Sequence, residues 1–455
     1  MQKTTNPSLT SGPVFSRLMG FVIPYLLTSV LQVLYGVVDT YTIGIYTVPA
    51  SISAVANGSK IATMVTVVVM GLSTGATVLI GRTVGEQDAK GAASAVGSTI
   101  LLFSLFAVVI TPLMLWLTPT LIRWVQTPEA AVRAARSYVM ICSCGLPFII
   151  AYNLICGILR AIGDSKTPVI FVAIACALNV GLDFLMVGAL RMGTAGAAIA
   201  TVASQSVSSI CGVCYLLRHR LPFPMSARDL RGRRSDLAEI LRVGSPVAVQ
   251  NGCMHICFII LAAIANRRGV VDSAGVGVVE TVINAVFLVP YAFEAASVTM
   301  TAQNLGAGKP ERIRAVVGYS VLVGSVFGGL VLLACNLWGS GMIRIFTKDA
   351  AVILAGAGYL RTYSIDTMLA GISFPVGGYL CGKGRSGVVF VQNMMAIGLV
   401  RLPVAYLMSA KFPDTMLYMG LSSPGGSLFS ILFFLCYLLI KKDMLLFPKR
   451  TAAER

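Results

Sequence analysis

Twelve apolar runs, each close to the roughly 20 residues that cross a bilayer as a helix, constrain this chain more than any other feature. Only 12% of its 455 residues are charged and 56% are hydrophobic, whereas a soluble protein has about 25% charged residues. We therefore predict an all-α, multi-pass membrane protein. The predicted spans lie at roughly residues 17–45, 54–81, 94–117, 136–158, 167–190, 194–217, 239–265, 275–302, 315–338, 357–381, 387–409 and 417–440.

The basic residues predict how the chain is oriented in the membrane. The formal net charge is +17, and the 35 Lys and Arg residues lie almost entirely in short loops between the apolar runs. Loops on the side of the two termini carry 23 of them, and the opposite loops carry 11. Because cytoplasmic loops are enriched in Lys and Arg, we expect both termini and the central loop to be cytoplasmic. The same distribution argues against a nucleic-acid groove, so no nucleic-acid partner is expected.

The two halves of the chain repeat each other. Pro24 and Pro246 lie early in the first span of each half, and a constant offset of 221 residues aligns identical residues elsewhere. These pairs are Gly85 and Gly306, Arg123 and Arg344, Tyr138 and Tyr359, Leu159 and Leu380, Gly163 and Gly384, and Ser165 and Ser386. Six spans per half give both halves the same topology, related by a pseudo-two-fold axis along the membrane normal. Two such lobes facing a cavity are a common transporter design.

The long basic loop containing "SARDLRGRRSD" separates these halves. We predict an N-lobe at residues 1–218 with spans 1 to 6, a basic cytoplasmic linker at 219–238, and a C-lobe at 239–455 with spans 7 to 12. An enzyme is not expected, because two histidines cannot assemble a nucleophile–His–acid set or a metal cluster. We expect no organic cofactor and no resident metal.

Carboxylates within the spans mark the candidate site. Asn179 and Asp183 lie four residues apart in "CALNVGLDFLMVG", so one helical turn places the amide beside the carboxylate. Asp39 lies at a similar depth in the first span. An ionised aspartate at this depth costs at least ~2.5–3.5 kcal/mol, so it needs a cation or a proton as its partner. No Lys or Arg lies at this depth in spans 1, 4, 5 or 6, which predicts a site for a mobile H⁺ or Na⁺.

Two more polar residues, Tyr138 in span 4 and Thr201 in span 6, are predicted to converge on the same outer half of the N-lobe. Oxygens of Asp39, Asn179, Asp183 and Thr201 suit a hard cation such as Na⁺, and two carboxylates equally suit a shared proton. These residues do not decide between H⁺ and Na⁺ as the bound ion. An alternative role for Asn179 and Thr201 is to form hydrogen bonds between neighbouring helices. An alternative role for Tyr138 is to lie in the belt of aromatic residues at the membrane interface.

Other residues are candidates for substrate contact and for movement. Pro24 removes a helix hydrogen bond about four turns before Asp39, so we expect span 1 to bend there when Asp39 takes up a proton; a static kink is the alternative. Arg401 has no evident partner in the sequence and is expected to snorkel outward. The candidate substrate contacts are Gln32 and Tyr35 in the first half, and Asn251, His255, Glu280 and Asp366 in the second.

Several segments resemble the multidrug and toxic compound extrusion (MATE) family. They are "VDTYTIG" at 38–44, "GILRAIGDSKTP" at 157–168, "MGTAGAAIATVASQ" at 192–205 and "QNLGAGKPER" at 303–312. The resemblance implies the fold of that family and its superfamily, and an efflux antiporter driven by H⁺ or Na⁺. Asp39, Asn179 and Asp183 are similar to the DinF-like branch, and the seventh span lacks the glutamate of the NorM-like branch.

The leading hypothesis is therefore a monomeric multidrug exporter in a bacterial or archaeal plasma membrane, which takes organic, cationic or amphipathic small molecules in exchange for H⁺ or Na⁺. Membrane lipids are its other expected partners. A lipid-linked saccharide flippase is one alternative, although it favours a strongly basic cavity, and apart from Lys60 and Arg401 the spans hold almost no basic residues. A passive channel or facilitator is another alternative, and it needs no ionisable groups in one lobe.

Overall fold

A computed structural model describes residues 9–47, 49–125, 127–218, 221–226 and 228–443. Its first half contains α1 (Val14–Tyr46), α2 (Pro49–Gly85), α3 (Ala89–Trp124), α4 (Glu129–Ala161), α5 (Thr167–Asp183) and α6 (Gly193–Arg218). Its second half contains α7 (Arg234–Asn266), α8 (Val270–Gly306), α9 (Pro310–Arg344), α10 (Ala350–Tyr363), α11 (Ile365–Gly382), α12 (Ser386–Met395), α13 (Leu402–Lys411) and α14 (Ser422–Ile440).

The predicted all-α architecture is confirmed, and the described residues contain no β-strand. A helix bonds every backbone group within its own segment, which hydrocarbon requires. Within the described ranges, ten helices are long and apolar enough to cross a membrane, and the bent α4 makes an eleventh. The tenth predicted span differs, because α10 and α11 are two shorter helices that meet at Ser364. The two chain ends and the start of the predicted linker at residues 219 and 220 lie outside the described residues.

Several membrane helices are interrupted near polar residues. In α4 the segments Glu129–Cys144 and Leu146–Ala161 meet at an angle of 50°, next to Pro147, which cannot donate a backbone hydrogen bond. A π-helical segment, Phe184–Ala189, continues α5 directly after Asp183. A second one, Ala396–Arg401, joins α12 to α13. Such π turns are common at functional sites because they change the direction in which neighbouring side chains point.

The chain packs as two compact units, and the boundaries between them do not lie in the central loop. Among the described residues, 23–248 belong to one unit, and 9–22 together with 249–443 belong to the other. Both α1 and α7 therefore begin in one unit and continue in the other. Pro24 and Pro246 lie within two residues of these two changes.

The core of each unit depends on close helix approach. In the first unit, the backbone of Gly58 in α2 lies against the Tyr138 ring of α4, leaving no room for a β-carbon. In the second unit, Gly328 of α9 lies against the backbone of Thr367 in α11, whose hydroxyl donates to the Gly328 carbonyl at 2.9 Å. Small residues at these crossings let helices pack by van der Waals contact where lipid offers no hydrophobic driving force.

Candidate functional site

The first unit brings Asp39 of α1 and Thr201 of α6 into direct contact. The Thr201 hydroxyl donates a hydrogen bond to Asp39 Oδ2 at 3.2 Å. Asp39 is only 7% exposed, and its other oxygen, Oδ1, has no hydrogen-bond donor among the described residues. One oxygen of this carboxyl is therefore held by the protein, while the other is available to a ligand of the site.

Asp183, the last residue of α5, completes a pair of carboxyls. It is fully buried, neither of its carboxyl oxygens has a hydrogen-bond donor among the described residues, and it lies close enough to the Asp39 carboxyl to interact with it electrostatically. Carboxylate oxygens are acceptors only and two buried negative charges repel each other, so a shared proton or a bridging cation would stabilise this pair. None of the four ion pairs found among the described residues includes either aspartate. A Lys or Arg side chain does not neutralise this pair in the described part of the chain.

Asn179 and Tyr138 approach the pair from α5 and α4. Asn179 is 1% exposed, and neither its amide nitrogen nor its amide oxygen has a hydrogen-bond partner within the described ranges. The Tyr138 hydroxyl lies 3.2 Å from the Ser59 hydroxyl, and Tyr138 is close enough to Asp39 to interact electrostatically. Asn179 is thus a buried polar group with unused donor and acceptor capacity, one turn from Asp183.

Three polar residues around this site were not predicted. Ser59 of α2 contacts Tyr138, and Gln205 of α6 is in hydrogen-bonding contact with the Tyr35 hydroxyl. Thr42 is fully buried with no partner for its hydroxyl in the described structure. Helical spacing could have indicated two of them, because Thr42 lies three residues after Asp39 and Gln205 four residues after Thr201. Ser59 gives no such signal, since α2 has no intramembrane carboxylate.

The candidate substrate contacts have different surroundings. In the first unit, Gln32 and Tyr35 are both half-buried. In the second unit, Asn251 lines a partly open pocket, and His255 is exposed. Glu280 is half-buried, with Oε1 buried and lacking a donor among the described residues.

The prediction that Arg401 snorkels outward is wrong. It is 8% exposed, and its Nη2 lies 4.0 Å from Asp366 Oδ2, while Asp366 is fully buried and accepts a 2.6 Å hydrogen bond from the Ser423 hydroxyl. A charge in lipid is less costly when it turns inward to a buried opposite charge. Asp366 is therefore paired with a protein cation, unlike Asp39 and Asp183.

The donor set of the first unit suits a hard cation or a proton. Carboxyl, amide and hydroxyl oxygens are the ligands that ions of this kind prefer. Within the described residues, no group of three His, Cys, Asp or Glu side chains lies together. The side chains that would hold Na⁺ are those of Asp39, Asp183, Asn179 and Thr201.

These observations define the class of protein to which the chain belongs. Long apolar helices in two repeated halves make this a multi-pass helical membrane protein, and two neighbouring buried carboxyls give it a polar site inside its first unit. The repeat also appears in the family comparison: the MatE family model matches residues 24–185 and again residues 246–407. The chain belongs to the MatE family, whose members are transporters and not enzymes. The resemblance found in the motifs is confirmed, and the closer likeness to the DinF-like branch stays a prediction.

Named relatives and solved structures agree with this family. "Probable multidrug resistance protein YpnP" of Bacillus subtilis (strain 168) is 28% identical over 402 residues, which are 88% of this chain and 90% of that protein. "Multidrug export protein MepA" of Staphylococcus saprophyticus is 24% identical over 407 residues, 88% of each chain. A solved structure, the "Outward-facing conformation of a multidrug resistance MATE family transporter of the MOP superfamily", has a TM-score of 0.89 at 23% identity, covering 98% of this chain and 99% of that one.

Proposed function

We propose that this transporter is a cation-coupled multidrug exporter, which moves organic, cationic or amphipathic compounds out of the cell in exchange for H⁺ or Na⁺ by alternating access. The names of its relatives YpnP and MepA support the multidrug part of the proposal. We also propose that it is a monomer in a bacterial or archaeal plasma membrane, with both termini in the cytoplasm.

One observation supports the coupling part of the proposal: Asp39 and Asp183 are both buried, and their carboxyls are close enough to interact electrostatically. Two carboxylates in a low-dielectric site repel, so the pair is stable when it holds a cation or shares a proton. Loss of that ion leaves a high-energy state that reloading or a change of conformation relieves. A site with loaded and empty states of different energy is what coupling requires.

Helix α1 supplies the mechanical part of the proposal. It carries Asp39, and it also carries Pro24, close to the residue at which α1 passes from one unit to the other. The Thr28 hydroxyl donates to the Pro24 carbonyl at 3.0 Å, a side-chain bond of the type that bends helices. Loading and unloading of Asp39 then changes the bend of α1 and with it the access of substrate to its site.

The test is dye efflux from inverted membrane vesicles, with a pH gradient and a Na⁺ gradient imposed separately. Wild type is compared with Asp39→Asn and Asp183→Asn, which keep the side-chain shape and remove the charge. Asp88→Asn is the matched control, because Asp88 caps α3 at an exposed position and asparagine caps equally well. We expect both site variants to lose gradient-driven efflux and the control to keep it. The gradient that drives the wild type identifies the ion.

Normal cation–dye exchange in both site variants would contradict the coupling site. Dye movement that equilibrates without either gradient and without counter-movement of a cation would instead favour the passive facilitator. Transport of a lipid-linked saccharide but not of dye in these vesicles would favour the flippase hypothesis. The three functions therefore give different results in the same preparation.

A further inference from the structure

The linker between the two repeated halves is docked on the helices of the first unit. Phe223 is buried in the hydrophobic core of that unit. Farther along the linker, the Asp236 carboxylate accepts hydrogen bonds from the hydroxyls of Ser94 at 2.6 Å and Ser98 at 3.2 Å, both on α3. The linker is therefore fixed on both sides of its basic segment, which holds the arginines of that segment in place.

A single 3₁₀ turn, Asp229–Arg231, lies against the membrane-spanning part of α3. The carbonyl of Asp229 is so close to Gly97 that a β-carbon there would overlap it. Lys90 is the last charged residue of α3 before an uncharged run that continues to Arg123. Gly97 lies seven residues beyond Lys90, which is about 10 Å along the helix. This depth corresponds to the boundary between lipid headgroups and acyl chains.

The outer surface of this turn combines an apolar side chain with basic ones. Leu230 is 42% exposed. The arginines of the segment are also exposed, namely Arg228, Arg231, Arg233 and Arg234. None of the four ion pairs found among the described residues includes one of these arginines. An apolar side chain among basic ones is typical of segments that lie in a membrane interface.

The acidic residues of the segment do not cancel its positive charge. Residues 228–236 contain four arginines and two aspartates, which leaves a net charge of +2. Asp229 interacts electrostatically with Arg233, and Asp236 is bound to α3. The next acidic residue along the chain, Glu239, is paired with Arg82 at 2.8 Å. Positive charge therefore remains for an anionic partner outside the protein.

A phospholipid with a net negative charge matches this surface. A guanidinium forms paired hydrogen bonds with phosphate oxygens. Each Lys or Arg beside an anionic membrane strengthens binding by about fivefold at low ionic strength. A neutral headgroup carries a cation next to its phosphate and lacks this net attraction. The exposed Leu230 favours a lipid over free phosphate, because only a lipid supplies an apolar environment for that side chain.

We propose that residues 228–234 form a binding surface for anionic phospholipids in the leaflet on the linker's side of the membrane, which is the cytoplasmic leaflet in the proposed topology. Arg228, Arg231 and Arg234 bind the headgroup phosphates, and Leu230 lies at the acyl boundary. Because Arg234 is the first residue of α7, bound lipid also holds the start of that helix at the membrane surface. This surface is separate from the coupling carboxyls, and its lipid binding does not depend on which compounds are transported.

The test measures hydrogen exchange of residues 228–236 in the purified full-length protein in nanodiscs. The discs contain dioleoylphosphatidylcholine (DOPC) alone or DOPC with an increasing fraction of dioleoylphosphatidylglycerol (DOPG). The main variant combines Arg228→Gln, Arg231→Gln and Arg234→Gln, and it keeps Arg233 beside Asp229. For each protein, exchange with DOPG is compared with exchange in DOPC alone.

The matched control removes the same amount of charge at exposed positions far from the linker. It combines Arg123→Gln, at the other end of α3, with Arg133→Gln and Arg136→Gln in the first turns of α4. A further sample contains wild type in DOPC discs with millimolar glycerol 1-phosphate, which has the phosphate of the headgroup without its acyl chains.

We expect DOPG to slow exchange of residues 228–236 in wild type and in the control. The main variant should exchange at the same rate with and without DOPG, since losing three arginines lowers the affinity by about a hundredfold. Leu230→Ser should keep the effect of DOPG but need a severalfold higher fraction of it, because an apolar contact is lost. Glycerol 1-phosphate should not slow exchange.

No effect of DOPG on wild type, or an equal effect on the main variant, overturns the proposal. An equal loss in the control would mean that overall charge matters and this surface does not. Slowing by glycerol 1-phosphate equal to that by DOPG would identify a free-phosphate site instead of a lipid site. If the main variant exchanges faster than wild type in DOPC alone, its linker is undocked, and a variant with lysine at the same three positions decides: a retained DOPG effect supports the surface, and its loss overturns it.

Discussion

The Thr201 hydroxyl donates to Asp39 Oδ2 at 3.2 Å, which joins α6 to α1 across 162 residues of sequence. The same carboxyl lies close enough to that of Asp183 to interact with it electrostatically, so residues of three helices surround one buried group. Because Thr201 occupies one oxygen of Asp39, it fixes the orientation of the other. We infer that Thr201 holds the carboxyl in position for ion binding, and the first prediction tests this.

Replacing Thr201 with valine keeps the shape of the side chain and removes the donor. A hydrogen bond to a charged group contributes about 1.5–3 kcal/mol, so we expect the apparent affinity for the coupling cation to fall about tenfold. Thr201→Ser retains a hydroxyl and should remain close to wild type. The measurement is dye efflux as a function of cation concentration. Identical curves for the valine and serine variants would show that the 3.2 Å contact has no part in ion binding.

Pro24→Ala restores a backbone donor to α1 and should stiffen it. We expect slower hydrogen exchange in the turn after residue 24 and a severalfold loss of efflux, since α1 would bend less easily. Pro290→Ala, a helix-interior proline of α8, is the matched control. Unchanged efflux together with unchanged exchange in α1 would rule out a role for Pro24 in movement and support a static kink.

Gly58→Ala should destabilise the first unit. A β-carbon at Gly58 would overlap the Tyr138 ring, and overpacking of this kind costs about 1–3 kcal/mol. Gly181→Ala, on the same helix as Asn179 and Asp183, meets open space and should be neutral or raise stability by about 0.5–1 kcal/mol through helix propensity. Thermal unfolding in detergent checks both variants. A Gly58→Ala protein as stable as wild type would contradict the packing between α2 and α4.

The Asp366–Arg401 pair should show strong coupling in stability. Arg401→Gln alone leaves Asp366 buried without a counter-charge, which typically costs about 3–5 kcal/mol. Adding Asp366→Asn removes the unpaired charge, so the double variant should be more stable than the single one. The free energies of unfolding of the wild type, both single variants and the double variant, measured by chemical unfolding, complete a double-mutant cycle. Additive effects would mean that the 4.0 Å contact carries no interaction energy.

Arg312 should hold the start of the described chain in place. Its Nη1 donates to the Gly12 carbonyl at 2.7 Å, and the neighbouring Lys309 donates to the Thr10 carbonyl at 2.8 Å, all within the second unit. Losing a charged hydrogen bond of about 1.5–3 kcal/mol in Arg312→Ala should speed hydrogen exchange around residues 10 to 12 about tenfold. Arg344→Ala, at an exposed position of α9, is the control. Equal rates of hydrogen exchange in the two variants would show that Arg312 does not hold residues 10 to 12 in place.

The motif "QNLGAGKPER" shows how far sequence reasoning reached. It indicated the family, and the MatE match confirms that family. The contacts of Lys309 and Arg312 with backbone carbonyls near the N-terminus were not predictable, because they join segments about 300 residues apart. Sequence patterns identify such residues as unusual, whereas the fold alone determines what they contact.

The sequence by itself determined the helical membrane architecture, the repeat of two halves, and Asp39, Asn179 and Asp183 as candidate residues. These conclusions follow from local properties: apolar length, periodic spacing and the cost of a charge in hydrocarbon. Only the tertiary structure decided the pairings. Thr201 reaches Asp39, and Arg401, the last residue of the π-helical segment between α12 and α13, turns inward to Asp366. A π turn rotates the residues that follow it, and ion pairs depend on which faces of distant helices meet, so neither could be read from spacing along one helix.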